Sequence, residues 1–298
     1  MKILITGATG QVGHELQHTL QAPHEVIALD RSRMDLSNLQ QVREVIRTIR
    51  PGLIVNAAAY TAVDQAQSEP ALAMQLNAHA PAAMAEEAKR LDAVLIHFST
   101  DYVFDGSRAG RYDEDEPTSP VNVYGESKRQ GELAIAAVGI PALVFRTQWV
   151  YGLHGKNFLL TMLRLAAQRS ELRVVDDQVG APTWARTLAQ ATADVVRMGQ
   201  DQGQDLSWWR ERAGLYHLTA QGETSWCGFA RRIVALSNLA NKPTVVGIPT
   251  SDYPTPARRP ANSRLSCEKF TRSFFALPDW DDALVRCMRE QPESPGTS

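Results

Sequence analysis

Short apolar runs separated by longer stretches of helical periodicity fill the first half of the chain. Ile3 to Ile5 precedes a helical pattern over Gln11 to Leu20, Val26 to Leu29 precedes Leu39 to Ile49, and Leu53 to Val55 precedes Leu72 to Arg90. That alternation predicts repeated strand–helix–strand units. Ala93 to Phe98 adds a fourth strand, Tyr124 to Ala137 a helix, and Ala142 to Phe145 a further strand. Runs this short and unalternating predict strands buried on both faces, as in a parallel sheet with helices on each side.

After Trp149 the pattern shortens, and Pro182, Pro243, Pro249, Pro254, Pro256 and Pro260 interrupt any long periodicity. The expected fold class is therefore α/β: a Rossmann-type doubly wound parallel sheet with a second, smaller mixed α/β substrate domain. Residues 1–150 are assigned to the dinucleotide-binding domain, with a helical segment in 184–213 (Thr187 to Met198) returning to it. Residues 151–183 and 214–298 are assigned to the substrate-binding domain. Gln200 to Gly214, carrying Trp208 and Trp209, reads as a polar surface insertion, and Pro292 to Ser298 as a frayed end. Ligands of such sheets bind beyond the carboxyl ends of the strands, where Gly7, Asp30, Asn56, Ser99 and Arg146 all fall.

Composition narrows the class of partner. The 298 residues are 44% hydrophobic and 21% charged, with a formal net charge of -2, enough for a sizeable core and without a basic surface for nucleic acid or a polybasic membrane anchor. A small molecule is the expected partner. The first residues lack the apolar run of a signal peptide and no stretch approaches the ~18 apolar residues of a membrane span, so a cytoplasmic protein is expected. Three widely spaced cysteines, Cys227, Cys267 and Cys287, fit reduced core thiols and neither a disulfide framework nor a zinc site.

Gly7-Ala-Thr-Gly10-Gln11-Val12-Gly13 follows an apolar strand and opens a helix, the context that marks a dinucleotide-binding turn. Glycines there permit the tight turn and close approach of backbone to pyrophosphate, and the helix start offers unpaired N–H groups. Asp30 ends the second strand, where a carboxylate accepts hydrogen bonds from ribose hydroxyls and favours NADH; Arg31 beside it can pair with a 2′-phosphate and admit NADPH. The two pull in opposite directions. Asp35 and Leu36 lie on the following loop, either under the adenine or at the start of the next helix, where Ser37 and Asn38 are candidate caps. Asn56-Ala57-Ala58-Ala59-Tyr60 ends the third strand with small side chains, leaving room for a cofactor or for tight helix packing.

Tyr124 and Lys128 stand four residues apart on a predicted helix. At that spacing a phenol and an ammonium share a face and reach one ligand. The cation stabilises phenolate and makes the tyrosine a better proton donor than its ordinary pKa of about 10 allows.

Taken together, Gly-x-x-Gly-x-x-Gly, Asn56-Ala-Ala, Ser99-Thr100 and Tyr124-x-x-x-Lys128 resemble the extended short-chain dehydrogenase/reductases that act on nucleotide sugars. Ser-Thr-Asp-Tyr-Val-Phe-Asp-Gly (99–106), Asn-Val-Tyr-Gly (122–125), Phe-Arg-Thr-Gln-Trp-Val-Tyr (145–151), Asp-Gln-Val-Gly-Ala-Pro-Thr (177–183) and Arg-Pro-Ala-Asn-Ser-Arg-Leu (259–265) resemble the dTDP-4-dehydrorhamnose reductase family in particular, over nearly the whole chain. The resemblance implies an NADPH- or NADH-dependent oxidoreductase that reduces the 4-keto group of dTDP-4-dehydro-L-rhamnose. It implies Thr100, Tyr124 and Lys128 as the catalytic set, and Asp101, Tyr102 and Trp149 as contacts to the sugar nucleotide, with a core aromatic the equal alternative for Trp149. Of Arg258, Arg259 and Arg264, in a proline-punctuated loop, one is expected to grip the diphosphate, with Arg259 the first choice; solvated surface arginines are the alternative.

Relatives are separated by local residues. Dehydratases of this superfamily carry Asp-Glu after the Thr, where this chain has Asp101-Tyr102, and sugar 4-epimerases have small residues after the Ser. Some reductases of the family dimerise through magnesium held by acids on the first and a later helix. Here Glu15 is present but the later position is Arg186, a cation that repels Mg²⁺ and can pair with Glu15, so no metal site is expected. A homodimer stays open. The competing readings are a 4-ketoreductase for another nucleotide deoxysugar and a non-catalytic dinucleotide-binding regulatory subunit, which the fold alone does not separate from an enzyme.

Overall fold

The structure is a computed structural model that describes residues 1–21, 23–201 and 206–291. The segment Pro292 to Ser298 and residues 202–205 of the expected insertion lie outside the described residues. Strands and helices alternate from the start: β1 (Lys2–Thr6), α1 (Gln11–Thr19), β2 (Glu25–Leu29), α2 (Leu39–Ile49), β3 (Leu53–Asn56), α3 (Val63–Ala66), α4 (Pro70–Met74), α5 (Ala80–Arg90), β4 (Val94–Thr100), α6 (Val123–Val138) and β5 (Ala142–Thr147). Then follow β6 (Val150–Tyr151), α7 (Phe158–Ala166), β7 (Glu171–Val175), β8 (Val179–Gly180), β9 (Thr183–Trp184), α8 (Ala185–Asp201), α9 (Ser207–Glu211) and β10 (Gly214–His217). The chain closes with β11 (Thr224–Ser225), α10 (Trp226–Leu236), β12 (Thr244–Ile248), α11 (Glu268–Ser273) and α12 (Trp280–Arg289).

Six strands form one parallel sheet in the order β10-β5-β4-β3-β1-β2. The order reverses between β1 and β3, and a crevice opens beyond the carboxyl ends of strands at such a point. Successive residues of each strand feed opposite cores, as period-2 geometry requires. Ile3, Ile5, Val55, Ile96 and Phe145 pack with α1 and α8 on one face. Leu4, Ile54, Leu95 and Val144 pack with α2, α5 and α6 on the other. A third core joins α7, α10 and α12 through Leu159, Phe229, Ile233, Leu284 and Cys287. All three cysteines are free and buried, and among the described residues no helix is long and apolar enough to cross a membrane.

Three expectations need correction. The predicted helix from Leu72 to Arg90 is broken by a π turn over Gln75–His79. The extra residue in that turn carries Asn77 inward, where its side chain bonds the Tyr60 N–H (2.8 Å), the Tyr60 carbonyl (3.1 Å) and the Ser127 hydroxyl (2.9 Å). The boundary at residue 214 is also displaced, because Gly214–His217 pairs with β5 as the sixth strand of the central sheet. Trp208 and Trp209 are not on a polar insertion: both are buried in the core under α8. Aromatic burial outweighs the polar residues around them.

Helix α6 is held in place by its ends and by a close approach. Asn122 caps it by accepting from the Gly125 N–H at 2.8 Å, and a Cβ at Gly125 would lie 2.1 Å from the Tyr102 carbonyl oxygen. Backbone therefore meets backbone there, which fixes the height of the helix over the end of β4. Truncating the buried indole of Trp209 tests the corrected reading of that region. Trp209→Ala is expected to lower unfolding free energy by about 3–5 kcal/mol in urea titration, whereas a residue on a surface insertion would change it by less than about 0.5 kcal/mol.

Candidate active site

The glycine turn closes on itself and on β3. Gly7 has φ +72°, and a Cβ there would lie 2.7 Å from the Ala58 nitrogen; a Cβ at Gly13 would lie 2.0 Å from the Gly7 carbonyl oxygen. Gly10, at the start of α1, makes no side-chain cap, which leaves the helix N-terminus presented to the crevice as an anion site. Ala57, Ala58 and Ala59 stand against the turn on the far side of a cleft of about 690 Å³. Gly7, Gly10, Gln11, Val12, Asp30, Arg31, Asp35, Leu36, Tyr60, Tyr124 and Lys128 line the same cleft. Gly13 sits behind the turn instead. A narrow, apolar-floored cleft against a glycine cradle fits a dinucleotide.

At the far end of the cleft the acidic and basic candidates have different settings. One oxygen of Asp30 accepts from the Ser32 N–H (3.0 Å), the Ser32 hydroxyl (2.6 Å) and the Arg33 N–H (3.2 Å), and the Ser32 bond is the chief reason its carboxyl lies below the usual range. Arg31 is 80% exposed and makes a long 3.7 Å contact with Asp35. Asp35 itself accepts from the Ser37 N–H at 3.0 Å, while Asn38 caps α2.

Tyr124 and Lys128 enter from the α6 side. Burial pushes the Tyr124 phenol up to about 12, with the Thr100 hydroxyl opposing the shift and Asp101 adding to it. Lys128 is 1% exposed. Its ammonium nitrogen turns inward, donating to the Phe98 carbonyl at 2.6 Å and facing His97 Nε2 at 3.2 Å. Burial brings it down to about 8, with Glu132 opposing. The activation of tyrosine by lysine expected from their spacing is thus not present as a direct pairing in the free site. Their shared face points the two groups at the same ligand.

The substrate-side candidates form a second group beside this one. Thr100 and Asp101 are buried at the end of β4. The Thr100 hydroxyl donates to Asp101 Oδ1 at 3.1 Å and accepts from the Tyr102 N–H at 3.2 Å. Burial pushes the Asp101 carboxyl up to about 6. The Tyr102 ring meets Tyr124 edge-on at 5.6 Å, and the Arg259 guanidinium lies 6.0 Å from the Tyr102 centroid. Arg259 donates from Nη2 to Asp64 at 2.8 Å, while its buried Nη1 has no partner among the described residues. Arg264 is consumed by Asn262, Glu223 and the Ala109 carbonyl, and Arg258 is exposed. Trp149 adopts φ +47° and stacks on Trp226 at 3.7 Å.

Several contributors escaped the sequence reading. Gly155 and Lys156 line the cofactor cleft from the second half of the chain; a Gly-Lys pair in a loop has no spacing that ties it to the first turn. His97, Asp64 and Trp226 stand in no motif that marks them in the sequence. Away from the cleft, Arg186 donates to Glu15 at 2.8 Å and also pairs with Glu290.

A six-stranded parallel sheet with a glycine cradle at its switch point, a Tyr-x-x-x-Lys helix over the cleft and a Ser-Thr strand end define an extended short-chain dehydrogenase/reductase. The profile of the family described as RmlD substrate binding domain matches residues 1–292. The chain is 47% identical to the dTDP-4-dehydrorhamnose reductase of Burkholderia thailandensis, covering 97% of this chain and 99% of that one. It is 46% identical to the Escherichia coli K12 enzyme of the same name, covering 97% and 98%. A crystal structure of dTDP-4-dehydrorhamnose reductase from Bacillus anthracis in complex with NADP superimposes with a TM-score of 0.89 at 34% identity, covering 97% of this chain and 99% of that one. The chain belongs to the dTDP-4-dehydrorhamnose reductase family.

The raised Asp101 carboxyl carries a stability signature. A carboxylic acid whose folded pKa lies above its unfolded value of 3.8 contributes stability below that value and loses it as pH rises through about 6. Asp101→Asn removes the titration. Thermal unfolding measured from pH ~4 to ~8 is expected to shift progressively in favour of the variant relative to the unaltered chain; a difference independent of pH would show that Asp101 ionises freely.

Proposed function

We propose that the chain reduces the 4-keto group of dTDP-4-dehydro-L-rhamnose to give dTDP-L-rhamnose, with Thr100, Tyr124 and Lys128 as the catalytic set. The observation that carries this reading is the meeting of the dinucleotide cradle and the Thr100–Asp101–Tyr102 strand end at Tyr124. The family relationship supplies the substrate. When bound, reduced nicotinamide supplies the hydride that adds to C4 of the sugar. Gly7, Gly10 and the α1 N-terminus would hold the pyrophosphate, and the small side chains of Ala57 to Ala59 would leave room for the cofactor.

The protein supplies the proton. Tyr124 donates its phenolic hydrogen to the ketone oxygen as negative charge develops there, and the oxygen, still bonded to C4, becomes the product hydroxyl. Burial keeps the phenol protonated at neutral pH but weakens it as an acid, and Lys128 offsets that by stabilising the phenolate left behind. Thr100 shares its hydroxyl with Asp101 and Tyr124, which orients it toward the carbonyl. Asp101, Tyr102 and Trp149 form the sugar side of the site. Arg259 Nη1, buried and unpartnered, is the donor aimed at a phosphate.

NADPH is the preferred coenzyme in this reading. Asp30 is already committed to its own loop, and Arg31 is exposed with one weak partner, which suits a 2′-phosphate. A coupled assay offering NADH and NADPH separately with dTDP-4-dehydrorhamnose should show coenzyme oxidation and dTDP-rhamnose as product, faster with NADPH. Absence of oxidation by either coenzyme would point instead to a regulatory subunit. Tyr124→Phe should bind NADPH unchanged yet turn over about 10²- to 10⁴-fold more slowly. Arg259→Ala should raise KM for the dTDP-sugar, by about tenfold for a charge-assisted bond of ~1.5 kcal/mol, and an unchanged KM would remove Arg259 from the phosphate site.

A further inference from the structure

Beneath Lys128 lies a histidine that the reaction as described does not use. His97 is fully buried in the middle of β4, between Asn56 of β3 and Lys128 of α6. Its proton position follows from its neighbours. Asn56 Oδ1 accepts from the Thr6 hydroxyl at 2.6 Å and from the Ala58 N–H at 3.2 Å. A backbone N–H only donates, so the amide oxygen must face Ala58, and the amide nitrogen is the atom 2.9 Å from His97 Nδ1. An amide nitrogen also only donates, so Nδ1 accepts and a neutral imidazole carries its hydrogen on Nε2.

That hydrogen points at Lys128, whose Nζ is 3.2 Å away. Toward an ammonium the contact sets two donors head to head. Toward a neutral amine it is a hydrogen bond to the nitrogen lone pair. The imidazolium form is worse still, since burial first and Lys128 second hold His97 well below the ordinary histidine range. The charged groups around the pair are Tyr124 and Glu132 on α6 itself, and Arg146 of β5, which binds Glu132 at 2.9 and 2.7 Å. Thr6 and Asn56, from β1 and β3, do not titrate. Glu132 is held by Arg146, and its pull on Lys128 opposes but does not outweigh the burial of the ammonium.

We infer that His97, with its tautomer fixed by Asn56, is a positioning residue for the reductase reaction that faces Lys128 with its Nε2–H donor and so destabilises the lysine ammonium in the resting site. An ammonium in poor company gains more from a phenolate developing at Tyr124 than one already paired with a carboxylate, so the arrangement favours the reacting state over the resting one. The catalytic consequence rests on the proposed reduction; the proton positions do not.

The test therefore begins with the free protein. Long-range ¹H–¹⁵N spectra of imidazole-labelled full-length chain should show His97 protonated at Nε2 alone through neutral pH, and ¹³C-lysine spectra should show Lys128 titrating below the ordinary lysine range. Asn56→Asp keeps the acceptor for Thr6 and Ala58 but turns the other atom into an acceptor, so the His97 hydrogen should move to Nδ1. Its Nε2 then accepts from Lys128, whose titration should rise by about one unit, tenfold in its equilibrium. His97→Asn, which offers Lys128 an amide oxygen, should give a similar rise without added charge. In both variants the basic limb of kcat/KM for the dTDP-sugar should follow to higher pH. An Nδ1–H tautomer in the unaltered chain, or a lysine titration unmoved by both variants, would overturn the inference. A chain with the expected spectra and no reductase activity would overturn only the proposed reaction.

Discussion

The side-chain amide of Asn56 is the joint on which the two halves of the site depend. It sits at the carboxyl end of β3, at the switch point of the sheet, and its single oxygen ties β1 through Thr6 and the alanine loop through the Ala58 N–H. Gly7 packs against that same Ala58, so the height of the dinucleotide cradle over the sheet is set by the loop that Asn56 holds. Its nitrogen reaches across to β4 and His97, and His97 reaches Lys128. One buried amide with both ends satisfied thus fixes the wall of the cleft and the register of α6. A buried polar group with that many obligations has little freedom to move, because any flip leaves an N–H facing an N–H.

A second buried polar group closes the other side. Arg146 of β5 grips Glu132 of α6 through two bonds, and the Ser99 hydroxyl donates to the same carboxylate at 2.5 Å. Bidentate geometry and a third donor meet the conditions under which a buried ion pair offsets its desolvation. The pair locks α6 to the sheet one turn past Lys128. Tyr124 is accordingly presented from a helix pinned at both ends of its active turn, by Asn122 and the Tyr102 backbone before it and by Glu132 after it. Preorganisation of this kind limits the reorganisation required when charge develops on the ketone oxygen.

The legible part of the molecule is the part governed by local rules. Apolar runs at Ile3, Leu53, Ala93 and Ala142 become β1, β3, β4 and β5 because central parallel strands are buried on both faces, whereas the run at Val26 becomes β2 at the sheet edge and is only partly buried. The glycine turn is readable because each glycine answers a steric demand within a few residues. Gly214–His217 was not legible as a sheet strand: four residues with a glycine and a histidine carry no period, and only pairing with β5 makes them a strand. Trp208 and Trp209 misled because the polar residues flanking them set the local average, while burial is decided by α8 overhead. Nothing in the sequence around His97 marks it. Its role depends on which atom of Asn56 faces Ala58, and that is a fact of three-dimensional hydrogen bonding with no sequence signature.

The Glu15–Arg186–Glu290 cluster shows how one side chain can hold helices together. Glu15 is nearly buried on α1, and a buried carboxylate requires a counter-charge or a ligand. A divalent ion answers that need with oxygen ligands that repel one another until it arrives. Arg186 answers it within the chain, placing a planar cation on Glu15 and reaching Glu290, just beyond α12. Its value is raised chiefly by the Glu15 hydrogen bond, so the guanidinium stays charged. The helix that bears the phosphate turn is thereby tied to the last helix of the second half by a covalently attached charge. No ion need be recruited for that connection, and a cation approaching Glu15 would meet the guanidinium first.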